Sequence, residues 1–224
     1  MIVLLWVERA GVNKFIKEQK QVPGTASLKV VQFDDVYEEV FDAPIAEAFE
    51  LTLSQTPRTG QKTYEPRGTT ALLDAIGRTV TELSSALAAV PEEEKPSKVI
   101  VVIMTDGLEN SSRLFSKDNV LAMITDQRDI YKWDFVYLGA NQDAIATAAM
   151  MGIDAASAIT YKPNRAAAAN VVCAMSAAVR RSRESGQSVS YTPGERKASL
   201  FEDDNDNDGV KVCFRIQKNV GTGL

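Results

Sequence analysis

Two short polar stretches of this 224-residue chain hold side chains suited to chemistry, Thr105-Asp106-Gly107 and Gly68-Thr69-Thr70. Hydroxyls and a carboxylate are hard oxygen donors. Converging, they suit Mg²⁺ or Mn²⁺, ions that prefer octahedral oxygen coordination and retain several waters. Asp106 follows an unbroken apolar run, Val99 to Met104, which reads as a strand buried on both faces inside a parallel sheet. The carboxyl end of such a strand is where open α/β sheets bind ligands. The competing reading is a plain turn, because Asp-Gly is a common turn pair.

Composition removes most other chemistry. The chain has no histidine, which excludes Ser-His-Asp and Cys-His nucleophile systems, imidazole acid–base catalysis and His-containing zinc sites. A net charge of −5 and a pI near 5.0 argue against a nucleic-acid surface, which needs clustered Lys and Arg. The two cysteines, Cys173 and Cys213, match no metal spacing and fit a reduced, cytoplasmic protein better than a disulfide framework. Met1–Val7 is apolar, with no basic segment before it and no small-residue cleavage site, and is far too short to span a bilayer, so it reads as a core strand. The run Asp204-Asn-Asp206-Asn-Asp208-Gly209 matches the start of a calcium loop, but Arg215 stands where the bidentate Glu is needed, so it reads as a solvated acidic run.

The elements that must position the two polar stretches alternate between strand and helix. Asn13–Lys20 reads as an amphipathic helix, and Leu28–Phe33 and Tyr37–Phe41 as a hairpin at one sheet edge. After a polar connection over Ser54–Pro66, Leu72, Ile76, Val80, Leu83 and Leu87 recur at helical spacing, with Thr69 or Thr70 as the expected N-cap and Pro91 as the stop. Asp74 and Arg78 fall at i,i+4 and are expected to pair. Then follow a helix over Lys117–Asp129, a strand over Trp133–Leu138, and a helix begun by Asn141 or Asp143 and closed by Gly152. A short strand over Ile159–Tyr161 and an Ala-rich helix over Asn164–Arg183 complete the series. The alternation predicts a doubly wound α/β sheet with helices on both faces. Residues 1–184 form the expected domain. Residues 185–224 read as a polar linker and acidic tail, mobile or loosely docked, with VCFRI as a strand lacking an apparent partner.

Five blocks in order, VNKFIKEQKQVPG, LKVVQFDDVYE, YEPRGTTALLDAIGRTV, KVIVVIMTDGLENSSR and WDFVYLGANQDAIATAA, resemble the von Willebrand factor A domain in its small intracellular bacterial and phage form, over Asn13 to about Glu184. The resemblance implies a Rossmann-like, mostly parallel sheet. It also implies a metal-ion-dependent adhesion site on the sheet's upper face, built from an Asp-x-Ser-x-Ser loop, a Thr loop and an Asp loop. Thr70 matches the second loop and Asp106 the third. At the first loop stands Glu8-Arg9-Ala10-Gly11-Val12, where Glu8 stands in for the Asp but Ala10 and Val12 carry no side-chain oxygen. Alternatively, Met1–Ala10 is no true counterpart of the family's segment. The implied metal ligands are therefore Thr70, Asp106 and Glu8, in an incomplete Mg²⁺ or Mn²⁺ site.

Three functions follow as expectations. The family resemblance implies a protein-interaction module that binds a partner's carboxylate at this face, away from membranes and nucleic acid, with or without the metal. A metal-assisted hydrolase or phosphotransferase would need a nucleophile–base pair or a phosphate-cradling Gly-rich loop, and the sequence shows neither. A metal-free scaffold is the third reading, favoured by the short first loop.

Overall fold

A computed structural model describes residues 1–6, 9–51, 69–140 and 143–201, without the side chains of 6, 9 and 10. The chain alternates as expected: β1 (Ile2–Trp6), α1 (Arg9–Gln19), β2 (Ser27–Phe33), β3 (Tyr37–Pro44), α2 (Leu72–Ala88), β4 (Ile100–Thr105), α3 (Lys117–Asp129), β5 (Asp134–Ala140), α4 (Ala144–Met150), β6 (Ala158–Tyr161), α5 (Arg165–Ser185) and α6 (Pro193–Ser199). Among the described residues, six strands form one sheet in the order β3-β2-β1-β4-β5-β6, parallel except for the β2–β3 hairpin at one edge. The doubly wound α/β architecture is as the alternation predicted.

Strand alternation sorts the core into two layers, because successive side chains leave a strand on opposite faces. Ile2, Leu4, Val102 and Leu138 meet Phe15 and Ile16 of α1 and Val171, Met175 and Val179 of α5 on one face. Val3, Leu5, Ile103 and Tyr137 meet Ile76 and Val80 of α2, Val120 and Ile124 of α3, and Ala144 and Ala148 of α4 on the other. Every residue of β4 and β5 is buried, as helices on both sides require. The edge strand β3 instead exposes Glu39 and Asp42, with Glu39 pairing Lys29 at 2.6 Å.

The expectation of a mobile linker from residue 185 is corrected for residues up to 201. Val189 and Tyr191 are buried in the first core layer, and Asp134 Oδ2 accepts from Val189 N–H at 3.1 Å while pairing with Lys98 at 2.9 Å. Helix α6 starts with a capping box at Thr192 and Glu195, and Glu195, almost fully buried, pairs with Arg181 of α5 at 2.7 Å. Polarity misled here because the polar residues have fixed protein partners and the few apolar ones carry the docking. Cys173 is buried in α5, and Cys213 lies outside the described residues. The 52–68 connection, the acidic run and VCFRI lie outside the described residues. No helix among the described residues is long and apolar enough to cross a membrane.

Candidate functional site

β1 and β4 lie side by side at the centre of the sheet; from β1 the chain turns to β2 on one side and later crosses to β4 on the other. Their carboxyl ends flank the topological switch point, where loops diverge and open a crevice. The segment 69–74 and the loop 105–116 meet there. Thr70 is buried; its N–H donates to Asn110 Oδ1 at 2.9 Å and its carbonyl accepts from Asn110 N–H at 3.1 Å. Its hydroxyl packs against Gly107, where an added Cβ would stand 2.7 Å from Thr70 Oγ1, so a larger residue at 107 would drive the two segments apart. Thr105 Oγ1 closes the turn, donating to Gly107 O at 2.9 Å and accepting from Gly107 N–H at 3.2 Å. Between them Asp106 is exposed and makes no hydrogen bond or ion pair with another described residue. The fold thus brings Thr70 against the immediate neighbour of Asp106, while Glu8 lies outside the described residues.

The start of α2 is not capped from within its own sequence, which corrects the expectation for Thr69 or Thr70: Ala71 holds the N-cap position and gives no side-chain bond. The caps come from the β4 loop. Glu109 Oε2 accepts from Leu73 N–H at 2.9 Å, and Ser112 Oγ accepts from Asp74 N–H at 3.1 Å. A carboxylate at a helix N-terminus meets both free donors and the positive end of the dipole. Glu109 Oε1 also accepts from the N–H groups of Ser111 and Ser112 at 3.0 and 2.8 Å. In return Asp74, in the first turn of α2, accepts from Arg113 N–H at 2.8 Å and from Leu114 and Phe115 N–H at 2.9 Å each. Burial pushes the Asp74 carboxyl up, but these three donors outweigh it and hold it below the usual carboxylate value. The expected Asp74–Arg78 pair is therefore corrected: Arg78 pairs with Glu82 at 2.7 Å and lies over the Tyr37 ring at 4.2 Å. Sequence reasoning missed the Glu109, Ser112 and Asp74 clamp; its only trace was a Glu-Asn-Ser-Ser run that any polar loop could carry.

Two leucines stand out on this loop. Leu108 is 65% exposed and Leu114 79% exposed. Both ride on the clamp, Leu108 between Gly107 and Glu109, and Leu114 held by its own N–H on Asp74.

Among the described residues, the donors on this face fall short of the shell that an octahedral Mg²⁺ or Mn²⁺ takes. Thr70 supplies one hydroxyl and Asp106 one carboxylate, and no group of three or more His, Cys, Asp or Glu side chains gathers anywhere among the described residues. At the first loop, α1 begins at Arg9, directly after the short link from β1, and Val12 is fully buried in the apolar layer beneath that helix. Val12, at the position the resemblance assigns to a hydroxyl, is thus a core side chain.

No family model matches the chain, and no curated protein matches it. Among solved structures it is similar to proximal thread matrix protein 1 from the mussel byssus, at 15% identity and TM-score 0.51, over 76% of this chain and 45% of that one. The fold is that of a von Willebrand factor A domain. Other matches are the ArnB paralog VWA2 from Sulfolobus acidocaldarius (12% identity, TM-score 0.46, 79% of this chain and 44% of that one) and a von Willebrand factor type A structure from Catenulispora acidiphila (12%, 0.49, 80% and 42%). The chain spans less than half the length of each of these structures.

Proposed function

We propose that this von Willebrand factor A-type domain is a protein-interaction module, without catalytic activity, that binds its partner at the carboxyl end of the sheet. The observation that carries the reading is the clamp: reciprocal hydrogen bonds among Thr70, Asp74, Glu109, Asn110 and Ser112 hold a loop that exposes Asp106, Leu108 and Leu114 at the switch point. A surface already ordered before binding loses little conformational entropy on association, and such rigid patches concentrate affinity. The metal site is incomplete, so the protein surface itself supplies the contacts. A hydrolase reading finds no support among the described residues, where Asp106 has no bonded base and Glu109 and Asp74 are spent on backbone donors.

The test is a photo-crosslinking residue at position 108, with position 131 at the opposite end of the sheet as control, in cells producing the full chain. The expected result is a saturable crosslink to one protein from 108 that disappears with Asp106→Ala. Crosslinks from 131 alone would overturn the site, and turnover of a phosphate ester by the pure chain, abolished by Asp106→Ala, would restore the enzyme reading.

A further inference from the structure

We propose that the clamped β4 loop recognises a basic-aliphatic segment of a partner protein, with a Lys or Arg of the partner on Asp106 and flanking aliphatic side chains on Leu108 and Leu114. This rests on the reading above that the switch-point face is the partner face, and adds to it the sign of the charge recognised. The other carboxylates of the clamp are spent. Glu109 holds Leu73, Ser111 and Ser112, and Asp74 holds Arg113, Leu114 and Phe115. Asp106 alone in this loop is an exposed carboxylate with no bond to a described residue.

A face bearing a divalent cation selects a carboxylate from its partner. Here the donors among the described residues fall short of such an ion, so the charge offered is the negative one of Asp106, and complementarity selects a cation. Leu108, two residues from Asp106, and Leu114, whose N–H is anchored on Asp74 in the first turn of α2, add exposed apolar surface to the same clamped loop. An aliphatic side chain on either side would exclude water around the ion pair and strengthen it. Because the backbone of the loop is already fixed, the partner segment alone must be ordered.

The test pans random peptides displayed on phage against the full chain, once with EDTA and once with MgCl₂, and then measures synthetic peptides from the enriched pool by fluorescence anisotropy. The expected pool carries Lys or Arg beside Leu, Ile or Val, is the same with and without Mg²⁺, and binds roughly tenfold more weakly to Asp106→Ala and to Leu108→Ser. Asp106→Lys should turn the preference toward acidic peptides, and Arg113→Ala should leave binding unchanged. All these positions are exposed, so unchanged circular dichroism melts are expected to separate lost binding from lost folding. Acidic peptides that need Mg²⁺ and are lost with Leu108→Ser would overturn the charge assignment while leaving the face intact. A pool insensitive to Asp106→Ala and Leu108→Ser would overturn both the assignment and the face, and a pool with no enrichment would overturn the proposal.

Discussion

Asp74 shows how one side chain takes its role from what the fold places near it. Spaced for a helix-surface pair with Arg78, it instead accepts three backbone N–H groups of the β4 loop. Its carboxyl is held below the ordinary value, so its stabilisation is full above the unfolded pKa near 4 and is lost as pH falls through the lower folded value. Asp74→Asn should therefore lower stability by roughly 1–2 kcal/mol at neutral pH, after allowing for solvent screening of a half-buried group. The same variant should show a flatter loss of stability than wild type as pH drops from about 4 toward 2, measured by urea unfolding at each pH. Tyr191 is the opposite case. Its hydroxyl is fully buried without a hydrogen-bond partner among the described residues, and burial pushes its ionisation far up. Tyr191→Phe removes an unsatisfied polar atom at constant shape, so the urea midpoint should hold steady or rise, by up to about 1 kcal/mol in stability.

At the scale of elements, helix α2 and the β4 loop are each incomplete without the other. Glu109→Ala leaves α2 without its main cap and frees the N–H groups of Ser111 and Ser112, and should cost roughly 1–3 kcal/mol. Hydrogen exchange should quicken at Leu73, Ser111 and Ser112 and stay unchanged in β4. Gly77, within α2, sets the distance to this loop: a Cβ there would collide with the Phe115 ring. Gly77→Ala gains up to about 1 kcal/mol of helix propensity but loses about 1–3 kcal/mol to overpacking, so a net loss near 1 kcal/mol is expected. Adding Phe115→Leu should recover most of it in a double-mutant cycle. The stripe Leu72, Ile76, Val80, Leu83 was legible in the sequence because helix periodicity is local. The caps were not, because Glu109 lies 36 residues from the N–H it satisfies.

For the whole molecule, the segment after α5 belongs to the folded unit. Val189 and Tyr191 lie in the core, Arg196 donates to the carbonyls of Ala155, Ala156 and Ala158, and Ser199 Oγ donates to Thr160 O at 2.7 Å. A chain cut to residues 1–185 also leaves Asp134 without its Val189 donor and removes the partner of Arg181. Its unfolding free energy should fall by roughly 5 kcal/mol, the sum of two exposed core side chains and several lost hydrogen bonds. That approaches the full stability of an ordinary domain, so urea unfolding should show a much lower midpoint, and an unchanged midpoint would refute the docking of this segment.

The sequence by itself determined the strand–helix alternation, the two-layer core and the position of Thr105-Asp106-Gly107 at the carboxyl end of a buried strand. Those properties are written in hydrophobic period and turn chemistry, which act over a few residues. Only the tertiary structure decided what caps α2, which carboxylates are spent and which is exposed, and that residues 186–201 pack instead of trailing. Each of those outcomes depends on a hydrogen bond or contact between groups distant along the chain, and polarity alone does not distinguish a solvated side chain from one with a fixed partner.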